Sequence, residues 1–411
     1  MFWVKFFPAF FGALTVVAVW KTTEALGGNL FALIPGATCV LFSALLRINF
    51  LFQPNSFDVL CWTGFYNIVF LFIGLFPAIL LTAQCKLFFK KEFYFAVILS
   101  LIFILPNLLW QYENGFPLFH HLKELADTQL VNVNRFDFFK EQVFFFVGSL
   151  PVNVSSLYAL LFYKPFQKFK LFFSAFIFTL AVFIYFKAKG YYAIGLYPVY
   201  ISFGAVFLSN KLNTGWKKYL QPLLIAVPII FYLLLFNIAF SVKTPNYYID
   251  NNKSYKGLGM LRWEDGKDHS LPQDFADMLG WKELAKKVDA VYSKLPDKKQ
   301  TTIVCDNYGQ AGAINYYTQN KNIQAVSFNA DYINWFNLNT KIENLIRVKD
   351  PGDSKNELEE TGPFFETAYL ADSVTNSLAR EYGTTIFAFS NPKIDIRERL
   401  KTEADRKRNA Q

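Results

Sequence analysis

The stretch "KAKGYYAIGLYP", Lys187 to Pro198, decides how this chain is read. On its N-terminal side lies an apolar run near 169–186, and a second run, near 190–209, begins inside it. Each run is about 18 residues or more, long enough to cross a bilayer as a helix. Two lysines and a Tyr-Tyr pair therefore fall where one membrane span would end and the next begin. Further apolar runs lie near 3–20, 28–46, 58–83, 93–111, 139–163 and 218–242. Together they predict a polytopic α-helical membrane protein of about eight spans, covering residues 1–243. The interiors of these runs look almost free of charge, with the polar groups at their ends.

Composition agrees with that class. Of 411 residues, 53% are hydrophobic and 48 are Phe, a load that a soluble domain rarely carries. The net charge of +9 comes from lysines lying between apolar runs, which argues against nucleic acid as a partner. Cys39, Cys61, Cys85 and Cys305 form no CxxC or His/Cys cluster, so neither a disulfide framework nor a zinc site is expected. The N-terminus lacks a short apolar core with a small-residue cleavage site and reads as a retained span.

After about Lys243 the sequence becomes polar and turn-rich, and residues 244–411 read as an α/β domain. "DFADMLGWKELAKKVDAVYSKL" has helical spacing, with Phe275, Leu279, Leu284, Val288 and Val291 on one stripe. "TTIVCDNY", "IQAVSFNA", "ETAYLADS" and "TTIFAFSN" read as strands and "GQAGAINYYTQ" as a helix. The charged end, "IDIRERLKTEADRKRNAQ", reads as a solvated or frayed helix.

The lysines orient the spans. Alternate loops carry Lys21; then Lys86, Lys90 and Lys91; then Lys164, Lys168 and Lys170; then Lys211, Lys217 and Lys218. Short, purely basic loops belong in the cytoplasm. Asp58, the loop 112–138, Lys187, Lys189 and the C-terminal domain are then expected together on the outer side, around a site that opens outward.

Several polar residues are candidates for that site, each with a plainer alternative. Asp58, in "FQPNSFDVLCW", either sits in the first turn of a capped helix or faces a substrate. His120 and His121 point to different faces of a helix and belong to no HExxH, so an interfacial pair is favoured over metal ligands. Lys187 and Lys189 either snorkel to lipid head groups beside belt tyrosines or capture a phosphate. In the second case Tyr191 and Tyr192 donate hydroxyl hydrogen bonds, and Gly190 permits close approach. A lipid-linked phosphate lies at that depth. In the tail, Cys305 reads as a buried small hydrophobe. Asp306 and Asn307 either bind an acceptor or cap the following helix. Arg262 and Glu264, in "RWEDG", follow the last span and are placed to fold back over the site.

Taken in order, "FFGALTVVAVWKTTEALGG", "QPNSFDVLCWTGFYN", "LPNLLWQYENGFPLFHHLKELADTQL", "AKGYYAIGLYPVYISFGAV", "RWEDG" with "LPQDFADMLGWKELAKKV", and "NYGQAGAINYY" resemble the family 39 glycosyltransferases. This is the protein-mannosyltransferase and aminoarabinose-transferase-like group, with the GT-C fold. The resemblance implies a bacterial inner-membrane enzyme with an extracytoplasmic C-terminal domain. Such an enzyme passes a sugar from a polyprenyl-phosphate donor to a lipid, glycan or protein acceptor, usually with inversion. Lys189, Tyr191 and Tyr192 fall on the family's "K-YY-P" stretch, expected at the donor phosphate, and Asp58 falls on its "P-D" stretch. The leaving group gathers charge on its phosphate oxygens, so fixed cations and hydroxyls there favour the transition state.

One departure stands out. The family's acidic base, commonly an Asp-Glu pair in the first outer loop, has no counterpart here, because the first run already resembles the family's second. Glu24, the first acidic residue, falls on the cytoplasmic side by the lysine pattern. The chain as given is therefore expected to have little or no transferase activity. No cofactor is indicated and a divalent-metal requirement is open. A transporter, a lipid-glycan export partner and a scaffold with an outer sensor domain are the non-enzymatic alternatives. A transporter should carry ionisable residues inside its spans.

Overall fold

A computed structural model describes residues 2–49, 59, 79–80, 83–113, 115–116, 123, 134–296, 298–320, 322–352, 354 and 356–410. Asp58, His120, His121 and most of the expected run 58–83 lie outside the described residues. The chain divides into two compact units, Met1–Trp110 with Glu124–Val242, and Gln111–Lys123 with Lys243–Gln411.

The first unit is helical. Its helices include α1 (Phe2–Ala25), α2 (Leu30–Leu41), α3 (Ala44–Ile48), α4 (Lys91–Glu113), α5 (Arg135–Phe145), α6 (Leu150–Phe162), α7 (Lys170–Tyr185), α8 (Tyr197–Lys211) and α9 (Leu223–Ala239). With the 3-10 turns that lead into them, four helical stretches among the described residues are long and apolar enough to cross a membrane. They are Lys5–Ala25, Lys164–Tyr185, Gly190–Lys211 and Gly215–Ile238. Two bent pairs would raise the number to six.

Three of the expected runs fold differently, the run 93–111 bending by 50° within α4. The run 28–46 breaks where Ser43 turns the chain and caps α3, leaving α2 at 12 residues. At about 1.5 Å per residue, α2 is too short to span a bilayer alone. The run 139–163 turns by 70° between α5 and α6.

Helix α8 is the centre of this unit and is buried along nearly all its length, as a helix apolar on every side should be. Close approach is what seats it. A Cβ on Gly204 would overlap the Val152 carbonyl of α6. Polar side chains in this interior bond to backbone, as an apolar surround requires. Ser202 donates to Val19 O at 3.3 Å and Tyr200 to Phe172 O at 2.7 Å. By contrast, α9 leaves Ile230, Leu233 and Leu234 exposed. Such apolar faces are compatible with a multi-pass membrane protein.

The second unit carries a five-stranded sheet of order β2-β1-β3-β5-β4. Strands β1 (Thr301–Cys305), β2 (Ala325–Ser327) and β3 (Asn344–Lys349) are parallel. Strand β5 (Thr385–Pro392) pairs antiparallel with β3, and the edge strand β4 (Phe365–Ser373) pairs antiparallel with β5. Period-two alternation gives the sheet two buried faces. Ile303, Cys305, Ile346, Val348, Ile386 and Ala388 meet α10 (Trp281–Lys294) and α11 (Tyr308–Tyr317). Val304, Leu345, Phe387 and Phe389 pack with Ile396, Leu400 and Ala404 of α12 (Ile396–Ala410). The charged C-terminal helix is thus docked through an i, i+4, i+8 stripe. The helix expected from Phe275 onward is interrupted, because Gly280 adopts φ 85° and α10 starts after it.

Loop 374–376 is tied to α10 through Glu283. Its Oε1 accepts from the Thr375 N–H and hydroxyl, each at 2.7 Å, and Lys287 lies 3.0 Å away. Partial burial works against the charge, but these donors overcome it and bring the Glu283 carboxyl down to about 2. A carboxyl held below its unfolded-state value stabilises the fold above about pH 4.5, and that contribution fades as pH falls toward 2. Glu283→Gln is expected to weaken this tether at pH 7 by on the order of 1–2 kcal/mol, after discounting for partial exposure. Amide exchange at Thr375 and Asn376 in the full chain checks this. The wild-type amides should lose protection on acidification, and the variant's should be fast at both pH values.

Candidate functional site

The site begins at the C-terminus of α7. Lys187 takes the left-handed conformation, φ 54°. The Ala188 N–H then reaches back to Phe183 O at 2.8 Å, and the Lys187 N–H to Ile184 O at 3.3 Å. This closes the helix in a turn that normally uses glycine. A lysine there carries about 1–2 kcal/mol of local strain. Arg135, the first residue of α5, completes the cap. Its Nε donates to Ile184 O at 3.2 Å and its Nη2 to Tyr185 O at 3.5 Å. A cation at a helix C-terminus is favoured by the macrodipole.

The chain then enters the 3-10 turn Gly190–Leu196, which feeds into α8. Lys187 and Lys189 are half-buried, and Tyr191 and Tyr192 are about 40% exposed with their rings edge to face at 4.6 Å. These four residues thus share one short segment at the N-terminal end of α8, the most buried of the described helices.

Gly190 has a role other than the one expected. The space beside its Cα is filled by Glu141, whose carboxylate accepts the Gly190 N–H. The close approach that glycine permits is therefore taken by an acidic side chain of α5. On the other side of the residue, Gln142 Nε2 donates to Gly190 O at 3.0 Å. The same amide donates to Phe138 O at 3.2 Å, and its oxygen accepts from Tyr197 OH at 3.2 Å. Every polar position of this buried amide is used, which makes the contact rigid.

Sequence reasoning does not single out Glu141, Gln142 or Arg135. The available signal is the polar group Lys140, Glu141 and Gln142, with Asp137, set among the phenylalanines of "FDFFKEQVFFF", Phe136 to Phe146, where ionisable groups need a reason.

In the second unit, Asp306 and Asn307 come together at the carboxyl ends of β1 and β3. Asp306 Oδ1 pairs with Lys349 at 2.9 Å, and Oδ2 accepts the Asp350 N–H at 2.9 Å. Asn307 caps α11 through Gln310 N at 2.9 Å and donates to Asp350 Oδ1 at 3.2 Å. Gln310 bridges Asp350 and Glu381 at 2.6 and 2.9 Å. The capping reading of Asn307 thus has its hydrogen bond. Cys305 is fully enclosed, and burial pushes its thiol well above the usual range, as for an inert cysteine. Glu264 exchanges two hydrogen bonds with Gln273, at 2.8 and 3.1 Å, and lies 3.8 Å from Arg380. Arg262 is exposed, and its backbone pairs with Asp268. Among the described residues no cluster of His, Cys, Asp or Glu is arranged to hold a metal ion.

No protein-family model, curated protein or solved structure matches this chain.

Proposed function

We propose that this chain belongs to a bacterial cytoplasmic-membrane glycosyltransferase of the GT-C type, which handles a polyprenyl-phosphate sugar at the outer face. One observation carries the reading. Lys187 and Lys189 are gathered with two half-exposed tyrosines at the end of a buried apolar helix, and Lys187 is kept there at a strained position where glycine would fit better. Cations and hydroxyl donors concentrated at the edge of apolar helices suit a phosphate whose lipid tail lies in the bilayer. In the reaction, an acceptor oxygen bonds to the anomeric carbon and that carbon's bond to the phosphate oxygen breaks. The acceptor's proton passes to a base or to the phosphate. Lys189 and the tyrosines would meet the charge that develops on the leaving phosphate. The C-terminal domain would serve the acceptor, which could be a lipid, a glycan or a protein.

The test separates recognition from transfer. The full chain in lipid nanodiscs is titrated with a polyprenyl monophosphate and with the prenol of equal length. Wild type is expected to favour the phosphate, and Lys189→Ala to lose about tenfold or more of that preference, the loss of one charge-assisted contact. Lys187→Gly is expected to lose preference as well while gaining about 1 kcal/mol of stability, because glycine relieves the left-handed strain. Equal affinity of wild type for both lipids would sink the reading. Release of polyprenyl monophosphate from a polyprenyl-phosphate sugar then reports transfer.

A further inference from the structure

We infer that Gln142 and Glu141 are positioning residues for the segment Lys187–Tyr192, holding the two polar sides of Gly190 and thereby fixing where Lys189 and Tyr191 point. The inference rests on the phosphate reading of that segment.

The two residues are adjacent on α5 and take opposite backbone groups of one residue. Glu141 accepts the Gly190 N–H and Gln142 donates to the Gly190 carbonyl. Those groups belong to the peptide bonds Lys189–Gly190 and Gly190–Tyr191, so both peptide planes flanking the glycine are pinned. Glycine alone would leave them loose, since it samples both signs of φ. The clamp is itself held firmly. Gln142 is 5% exposed and its oxygen is engaged by Tyr197, the first residue of α8. The Tyr197 ring stacks on Phe146, the residue that follows α5, at 4.1 Å. Arg135 ties the start of α5 to the last carbonyls of α7. One helix thus fixes the segment at both ends of its turn, at Ile184–Tyr185 and at Gly190.

The chemistry explains why both an acid and an amide are used. Gln142 supplies the donor that a carbonyl needs and no charge. Glu141 supplies the acceptor that the N–H needs, in the space that the glycine leaves open. A phosphate site needs its cations held at a set spacing, not merely nearby, because an untethered lysine loses side-chain and backbone freedom on binding.

The experiment uses the full chain in nanodiscs, with polyprenyl monophosphate and the equal-length prenol as probes. Gln142→Ala is expected to weaken phosphate-lipid binding about tenfold and to leave prenol binding unchanged. Tyr197→Phe, which removes only the hydroxyl behind Gln142, should weaken it by about threefold. A double-mutant cycle supplies the readout that a general loss of stability would not give. If Gln142 acts through Lys189, then Gln142→Ala in a Lys189→Ala background should cost less than about twofold. Full additivity of the two substitutions would overturn the inference, as would wild-type affinity in both Gln142→Ala and Tyr197→Phe. If Gln142→Ala does not fold, Tyr197→Phe and its cycle with Lys189→Ala decide by the same criteria. If Lys189→Ala itself binds like wild type, the phosphate reading fails and this inference falls with it. If Lys189→Ala loses binding but the cycle is additive, only the positioning role is lost.

Discussion

Gly204→Val is expected to remove almost all folded, monodisperse protein from detergent extracts, and Gly204→Ala to lower the thermal midpoint markedly. The reason is which atom stands opposite. An added Cβ at Gly204 meets the Val152 carbonyl oxygen first, then the Val152 carbonyl carbon at 2.8 Å. A flexible side chain could turn aside, but a helix backbone must translate as a whole. Moving α6 would disturb Asn153 and Ser156, both buried in its interior-facing turns. Overpacking of a tight core costs about 1–3 kcal/mol where neighbours can yield, and more where they cannot. Small residues at helix crossings are the usual means of such approach in apolar surroundings. Gly36 is the control. It lies in α2, and the nearest atom to its added Cβ is Thr23 Oγ1 at 3.5 Å, so Gly36→Ala should be tolerated. A Gly204→Ala midpoint within about 2 °C of wild type would show that α6 and α8 are not in backbone contact.

What can be read from the sequence follows from the range of the interactions involved. Strands β1, β2, β4 and β5 are legible as short runs of strand-forming residues, and in a sheet covered on both faces consecutive residues are buried, as in Ile303, Val304 and Cys305. Strand β3 is not, although it is the sheet's central strand. Its core position Arg347 looks like a surface residue until Glu357 and Glu403 are brought beside it by the fold. The docking of α12 is hidden for a related reason, since three apolar residues in a highly charged helix give too weak a stripe. In the first unit, "KAKGYY" announces itself as polarity amid phenylalanine. Its clamp does not, because Gln142 and Gly190 are 48 residues apart and no local pattern links them. The glycine is visible in the sequence and suggests room for a ligand, but the α5 side chain that fills the place is not.

Glu357→Ala is the second large effect expected, this time in the sheet unit. Glu357 is 3% exposed, and its carboxylate serves three partners. Arg347 Nε lies at 3.3 Å, Lys349 Nζ at 3.6 Å, and Thr361 donates its hydroxyl at 2.8 Å. Lys349 keeps Asp306 when the glutamate is removed. Arg347 does not fare as well. Its side chain is 9% exposed, its Nε has no aligned hydrogen bond, and Glu403 is a more distant 3.6 Å away. Leaving a buried guanidinium so poorly matched costs about 3–5 kcal/mol, much more than the pair contributes relative to apolar packing. Amide exchange across β3 and β5 is therefore expected to quicken by about two decades or more in the variant. The same physics predicts a rescue. In Arg347→Met with Glu357→Leu neither member of the buried pair is left without the other, Glu403 keeps partial contact with solvent, and the new thioether chain would pack beside Phe328 and the apolar face of α12. That double variant should recover to within about 1–2 kcal/mol of wild type, although each single change is damaging. A double variant no better than Glu357→Ala alone would mean that the glutamate acts through Thr361 and the short helix Glu357–Thr361, not by matching the arginine's charge.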